Sequence, residues 1–269
     1  MELTAEKLEN NAGHESYRVH VGSHRILSIT TRCHDTATKW IKEVQKCHRN
    51  KPGPLLVGLS ASVESGSYGR RASNSTTDPK KLPYDFLQLS IGSHCLIYHL
   101  PDPYNNKALK TFKSFFADDN VIAVGVDMTS VTNKLEQIHE IKVSNPMDLN
   151  EMAVQALKIT STTGGKEYHG LARCSLDRLA EVVCGSDVYV IRPESELEWY
   201  VNKELDIFSG RSPEITDEKV MFSTLDAYFC YLIGLELLRK IGSSVSSSSA
   251  SSSSSKKKKS KKKMNKNKK

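Results

Sequence analysis

The chain has no uninterrupted apolar run approaching the ~20 residues that a membrane-spanning helix needs. Met1–Ser16 also lacks the apolar core of a secretory leader, so an intracellular protein with no membrane partner is expected. Six cysteines, at positions 33, 47, 95, 174, 184 and 230, form no Cys-x-x-Cys pair. In an intracellular chain this predicts reduced thiols rather than a disulfide framework. Cys33-His34 and Cys47-His48 lack zinc-finger spacing and read as lone cysteines and surface histidines. Gly164-Gly165-Lys166 lacks the first half of a phosphate-binding loop and reads as a turn.

An excess of positive charge is absent outside one segment. The 269 residues hold 38 Lys and Arg against 31 Asp and Glu, a net of +7. Ten of the lysines lie in the last fourteen residues, and removing them leaves a net of −3 for the remainder. A mildly acidic body is not an evident nucleic-acid surface. Ser243–Ser255 is nearly all serine, a composition that cannot bury a core and predicts disorder. Beyond it, Lys256, Lys257, Lys258, Lys259, Lys261, Lys262 and Lys263 fit a nuclear-import signal or a nucleic-acid-attracting arm. Such an arm would bind phosphates without regard to sequence and weaken steeply with salt.

What remains is enough for one substantial domain. Tyr17–Val21 and Arg25–Thr30 alternate about Gly22-Ser23, predicting a hairpin. Asp35 is expected to cap a helix reaching about Arg49, stopped by Pro52-Gly53-Pro54. Leu55–Val63 is a core strand, and Phe86–Ile91 with Cys95–Leu100 a second hairpin. Ser65–Pro83 reads as an exposed loop, with Arg70-Arg71-Ala72-Ser73 resembling a basophilic kinase site. Helices are predicted at Lys107–Phe116, Thr129–His139, Asn150–Lys158 and Ser175–Cys184. Val121–Val126 is a continuously apolar strand of the kind covered on both faces, and Lys142–Leu149 holds another. Asp187–Ser212 reads as irregular, and Thr216 caps a last helix ending near Ile241. The boundaries expected are a flexible terminus at 1–16, a domain at 17–241 and a disordered tail at 242–269. Alternating helices and strands after an antiparallel start predict an α/β mixed sheet with helices on both sides.

Two segments carry the chemistry. Leu55-Leu-Val-Gly-Leu-Ser60-Ala-Ser62-Val63 ends in serines two apart, which a strand points to one face. Phe222-Ser-Thr-Leu-Asp226-Ala-Tyr228 opens the last helix. Together with Leu87–Gly92, Val124–Val126 and Ser175–Ala180, in this order, they resemble the 3′–5′ exonuclease domain of the DEDD superfamily. The plant branch similar to the Werner-syndrome exonuclease is the nearest likeness. The resemblance implies an RNase H-like fold and a nucleic-acid partner. It also implies two Mg²⁺ or Mn²⁺ ions held by four acids, with a tyrosine placing the attacking water.

In that family the strand carries Gly-Leu-Asp-x-Glu and the helix Tyr-x-x-x-Asp. By resemblance the first two acids fall on Ser60 and Ser62, the third on Val131 and the tyrosine on Phe222; only Asp226 is kept. Hard cations need anionic oxygen ligands, and three lost carboxylates predict lost catalysis. The expected role is a degenerate exonuclease-like protein, without a cofactor, that binds nucleic acid or serves as a scaffold. One alternative is an active Mg²⁺- or Mn²⁺-dependent exonuclease with relocated acids, Glu64, Asp127 and Asp226. Another is a protein-interaction module that binds a protein partner. The nucleus is the expected location, with the cytoplasm left open.

Overall fold

The computed structural model describes residues 2–11, 13–63, 83–101, 109–160, 168–185, 188, 190–193, 197 and 215–253. At 9–11, 157–160, 168–169 and 243–253 it does so by backbone alone. Eight strands form one sheet: β1 Leu3–Asn11, β2 His14–Val21, β3 His24–Thr31, β4 Leu55–Ser62, β5 Phe86–Ile91, β6 His94–His99, β7 Val121–Gly125 and β8 Pro146–Asp148. Their order across the sheet is β1-β2-β3-β6-β5-β4-β7-β8. The pairs β3–β6, β4–β7 and β7–β8 are parallel and the others antiparallel. The helices are α1 His34–His48, α2 Lys110–Phe116, α3 Met128–His139, α4 Leu149–Thr160, α5 Leu176–Cys184 and α6 Asp217–Ser253, with a 3₁₀ turn at Tyr168–Arg173. This is the mixed α/β sheet, covered on both faces, that the sequence predicts.

The pleat of β4 sorts its side chains between two cores. Leu55, Val57 and Leu59 join Leu87, Leu89, Tyr98, Phe112, Phe115 and Phe116 beneath α1, α2 and α3. Leu56 joins Val19, Phe86, Ile97 and the apolar side of α6 on the opposite face. The period of two places Gly58, Ser60 and Ser62 on that second face. A Cβ on Gly58 would stand 2.2 Å from the Ala227 carbonyl oxygen and 2.5 Å from the Tyr231 nitrogen. The missing side chain lets the α6 backbone rest on the strand itself. Gly234 repeats the device one strand over, where a Cβ would meet Val124 at 2.7 Å.

Both predicted hairpins are present, turning at Gly22 and Gly92, each at φ +59 in the left-handed region that glycine tolerates. Asp148 joins two helices to the sheet edge. Its Oδ2 accepts from the Met128 amide at 3.0 Å and its Oδ1 from the Asn150 amide at 2.9 Å, capping α3 and α4.

Three expectations are corrected. Residues 1–16 are not a free terminus: β1 pairs with β2 in the register Leu3↔Val21 and Ala5↔Val19, and Leu3 and Ala5 pack on the core. Its Ala, Glu and Lys content hides a strand whose cohesion comes from its neighbour. Helix α1 is flanked by Cys33 rather than capped by Asp35, which sits in the first turn and meets the positive helix end by charge alone. The last helix does not stop at Ile241 but stays helical to Ser253. Serine costs a helix only about 0.5 kcal/mol per residue, and extension from a packed helix needs no new nucleus. The loop at 65–82 and the stretch 254–269 lie outside the described residues.

Residues Asp217–Gly242 are long and apolar enough to cross a membrane by length and composition, which a count of uninterrupted apolar residues does not reveal. Most of that stretch is buried against the sheet, so its apolarity serves the core.

Candidate functional site

Close approach of α6 to β4 creates a cleft of about 210 Å³ at the end of the strand. Ser60, Ser62, Gln88, Arg192, Pro193, Leu197, Lys219, Phe222, Ser223 and Asp226 line it. Four of the five positions singled out by the resemblance, Ser60, Ser62, Phe222 and Asp226, therefore meet in one place. Two come from alternate residues of a strand, and two from residues four apart on one helix face.

The fifth does not join them. Val131 lies in the first turn of α3 and packs against the core beneath α1 to α3. Asp127 precedes α3 in the left-handed region at φ 53 and does not line the cleft. Its carbonyl accepts from the Val131 amide at 3.0 Å. Glu64 and the lysines from Lys256 to Lys263 lie outside the described residues.

The cleft has chemistry that its serines do not announce. Gln88, on β5 opposite Ser60, is buried at 2% exposure and donates from Nε2 to Ser62 Oγ at 2.7 Å. The last-helix acid is engaged more firmly. Arg192 donates from Nη2 to Asp226 Oδ1 at 2.6 Å. The same guanidinium grips Asp177 with two bonds, Nε to Oδ2 at 2.5 Å and Nη2 to Oδ1 at 2.8 Å. Its carbon stands 5.8 Å from the centre of the Phe222 ring. A phenyl ring thus flanks a cation where a tyrosine was expected.

Each partner is set by an ordinary local cause. Ser175 caps α5, accepting from the Arg178 amide at 3.3 Å, and this places Asp177 in the first turn, where it meets Arg192. The segment before Pro193 alternates: Val190 is buried, Ile191 is 80% exposed, and Arg192 turns back inward. Burial works against the charge on Arg192, but the hydrogen bonds and charges of Asp177 and Asp226 prevail and hold its pKa above the ordinary value. Burial also pushes the Asp226 carboxyl upward, and Arg192 opposes this only in part. Because about a third of each side chain meets solvent, the Arg192–Asp226 pair contributes about 1 kcal/mol rather than several.

No family model and no curated protein matches the chain. Solved structures do. The catalytic core of RRP6 from Trypanosoma brucei is similar with a TM-score of 0.52 at 13% identity, over 80% of this chain and 46% of that one. For RNase D from Escherichia coli, an exoribonuclease involved in structured RNA processing, the TM-score is 0.53 at 12% identity, over 80% and 45%. The fold is that of an RNase H-like exonuclease domain. The Trypanosoma brucei RNase D in its GMP complex agrees, at a TM-score of 0.52, 13% identity, 78% of this chain and 56% of that one. The chain spans about half the length of the solved structures it matches.

Two hard cations side by side would need several carboxylates converging on this cleft of the exonuclease fold. Among the described residues, the oxygen donors lining it are the three hydroxyls of Ser60, Ser62 and Ser223, the Gln88 amide and one carboxylate, whose Oδ1 already accepts from a guanidinium. Among the described residues, no three His, Cys, Asp or Glu side chains converge to hold a metal ion. The described residues do not fit a two-cation centre.

Sequence reasoning missed Arg192, Asp177 and Gln88. Arg192 joins partners 15 and 34 residues away, with no local pattern to mark it. Asp177 stands in the Ser175–Ala180 segment, where only its place in the first turn of a capped helix was legible.

Proposed function

We propose that this chain is a degenerate exonuclease-fold module that engages nucleic acid without cleaving it. The observation that carries the reading is the pairing of Asp226, the one acid kept, with Arg192 beside two serines. A carboxylate neutralised by a fixed guanidinium, with hydroxyls in place of its partners, gives a phosphodiester neither a pair of cations nor an activated water. Within that fold we read the chain as resembling the plant branch similar to the Werner-syndrome exonuclease, on the residues of β4 and the last helix. Nucleic acid is reached partly through the Lys256–Lys263 tail, which also directs the protein to the nucleus. Since the likeness includes an exoribonuclease, single-stranded RNA is the first ligand to try, and DNA with a 3′ overhang the second.

The test uses the full chain. Labelled RNA and DNA are incubated with Mg²⁺ or Mn²⁺ and, separately, titrated for binding in EDTA. The expected result is no shortening of either strand, binding that survives chelation, and affinity falling steeply with salt. Shortening that is lost in a Glu64, Asp127 and Asp226 triple alanine variant would establish the active alternative with relocated acids. Deleting residues 243–269 separates tail from body: loss of all binding would show that the folded cleft contributes none.

A further inference from the structure

We infer that Arg192 is a built-in counter-cation, a side chain that takes the electrostatic place of a metal ion on Asp226 and keeps divalent cations out of the cleft. The inference rests on the reading of this cleft as a former nuclease centre, but it concerns ion occupancy, not nucleic-acid binding.

The geometry supports it at three points. First, the guanidinium touches the carboxylates of Asp177 and Asp226, with three contacts between 2.5 and 2.8 Å. An incoming cation on Asp226 would have to share its carboxylate with a fixed positive charge or displace it, breaking paired, charge-assisted bonds. Second, the arginine is anchored from behind. Val190 is buried in the core two residues before it, and the bidentate grip of Asp177 fixes the plane of the fork. Third, the rest of the lining does not offset the loss. Ser60, Ser62 and Ser223 bring neutral hydroxyls, Gln88 an amide, and Lys219 a further positive charge. Asp177, Asp226, Arg192 and Lys219 together sum to zero, whereas a divalent site needs an excess of negative charge.

Arg192 is a positioning residue here. It holds Asp226 and Asp177 in place and sets the charge of the cleft.

The experiment is Mn²⁺ titration of the full chain, followed by the loss of free-ion paramagnetic resonance signal and by calorimetry. Wild type and Asp226→Asn are expected to bind Mn²⁺ alike, since Asp226 is not available to it. Arg192→Met leaves two carboxylates unpaired, and binding should strengthen by about tenfold or more once a fixed charge within contact distance is gone. Adding Asp226→Asn to Arg192→Met should remove that gain. A wild-type Mn²⁺ site that Asp226→Asn abolishes would overturn the inference, and this comparison stands even if Arg192→Met fails to fold. A folded Arg192→Met protein that binds no more Mn²⁺ than wild type would overturn it too. Failure to bind RNA or DNA in EDTA would sink the proposed function and leave these ion measurements untouched.

Discussion

The two faces of the sheet have been built to different rules. Beneath α1, α2 and α3 the core is almost wholly apolar, with Tyr98 stacked on Phe112 at 4.7 Å and Phe115 edge-on to Phe116 at 5.2 Å. Beneath α6 it is threaded with polar groups: Ser28 bonded to Thr224 at 2.8 Å, Gln88 to Ser62, and Arg192 to two acids. A side that only holds the fold together needs volume and shape. A side that carries a cleft keeps hydrogen-bonding groups, most of which need partners once buried. Neither packing rule depends on the charges at the strand end. Those charges can change while Gly58 and Gly234 still seat α6 in its place.

The contrast can be broken at several points. Gly58→Ala should do most damage, because the added methyl meets helix backbone at 2.2 Å and no side chain can swing aside. A loss of about 3 kcal/mol or more is expected, lowering Tm by roughly 10 °C in a thermal melt. Phe112→Ala, on the apolar face, should cost about 3 kcal/mol through its cavity and leave nucleic-acid affinity unchanged in a filter-binding assay.

Arg192→Met comes next, at about 2 kcal/mol near neutral pH, by leaving Asp226 and Asp177 without their shared cation. Its signature is pH dependence. The Asp226 carboxyl stands above its ordinary value, so between the usual carboxylate range and that raised value the folded state binds more of a proton than the unfolded chain. Stability from this group is therefore greatest at low pH and falls as pH rises from the usual carboxylate range through the raised value. Without Arg192 that value climbs further. Urea melts across pH 4 to 7 should show the deficit of the variant shrinking towards acid. The smallest effect belongs to Asp226→Asn, at about 1 kcal/mol or less, since Arg192 keeps its two bonds to Asp177. With wild type, EDTA should leave Tm unchanged in the same melts.

How much of this the sequence disclosed follows from how local each cause is. The hairpins at Tyr17–Thr30 and Phe86–Leu100 announce themselves through alternation and a Gly-Ser turn, and β4 and β7 through unbroken apolar runs. The meeting of Ser60 and Ser62 with Phe222 and Asp226 was implied by the resemblance, while strand and helix periods only align each pair on its own element. Strand β1 was not, since Ala5, Glu6 and Lys7 are helix formers held in a sheet by Val19 and Val21. Val131 was placed at the site by order along the chain, yet α3 turns it into the apolar core. The Arg192 cluster is a contact between three distant segments, and no periodicity within any one of them encodes it.

The outer strand β1 has one more effect. An eight-stranded sheet has two rims, and each invites another chain to add a strand. At one rim β8 is only three residues long, too short to template a neighbour. At the other, β1 is interrupted by a register shift between Lys7 and Glu9, and its Glu6 and Lys7 are tied to Arg18 and Glu15 of β2. A bulged, charge-bearing border disfavours edge-to-edge growth at the strand the sequence made hardest to see.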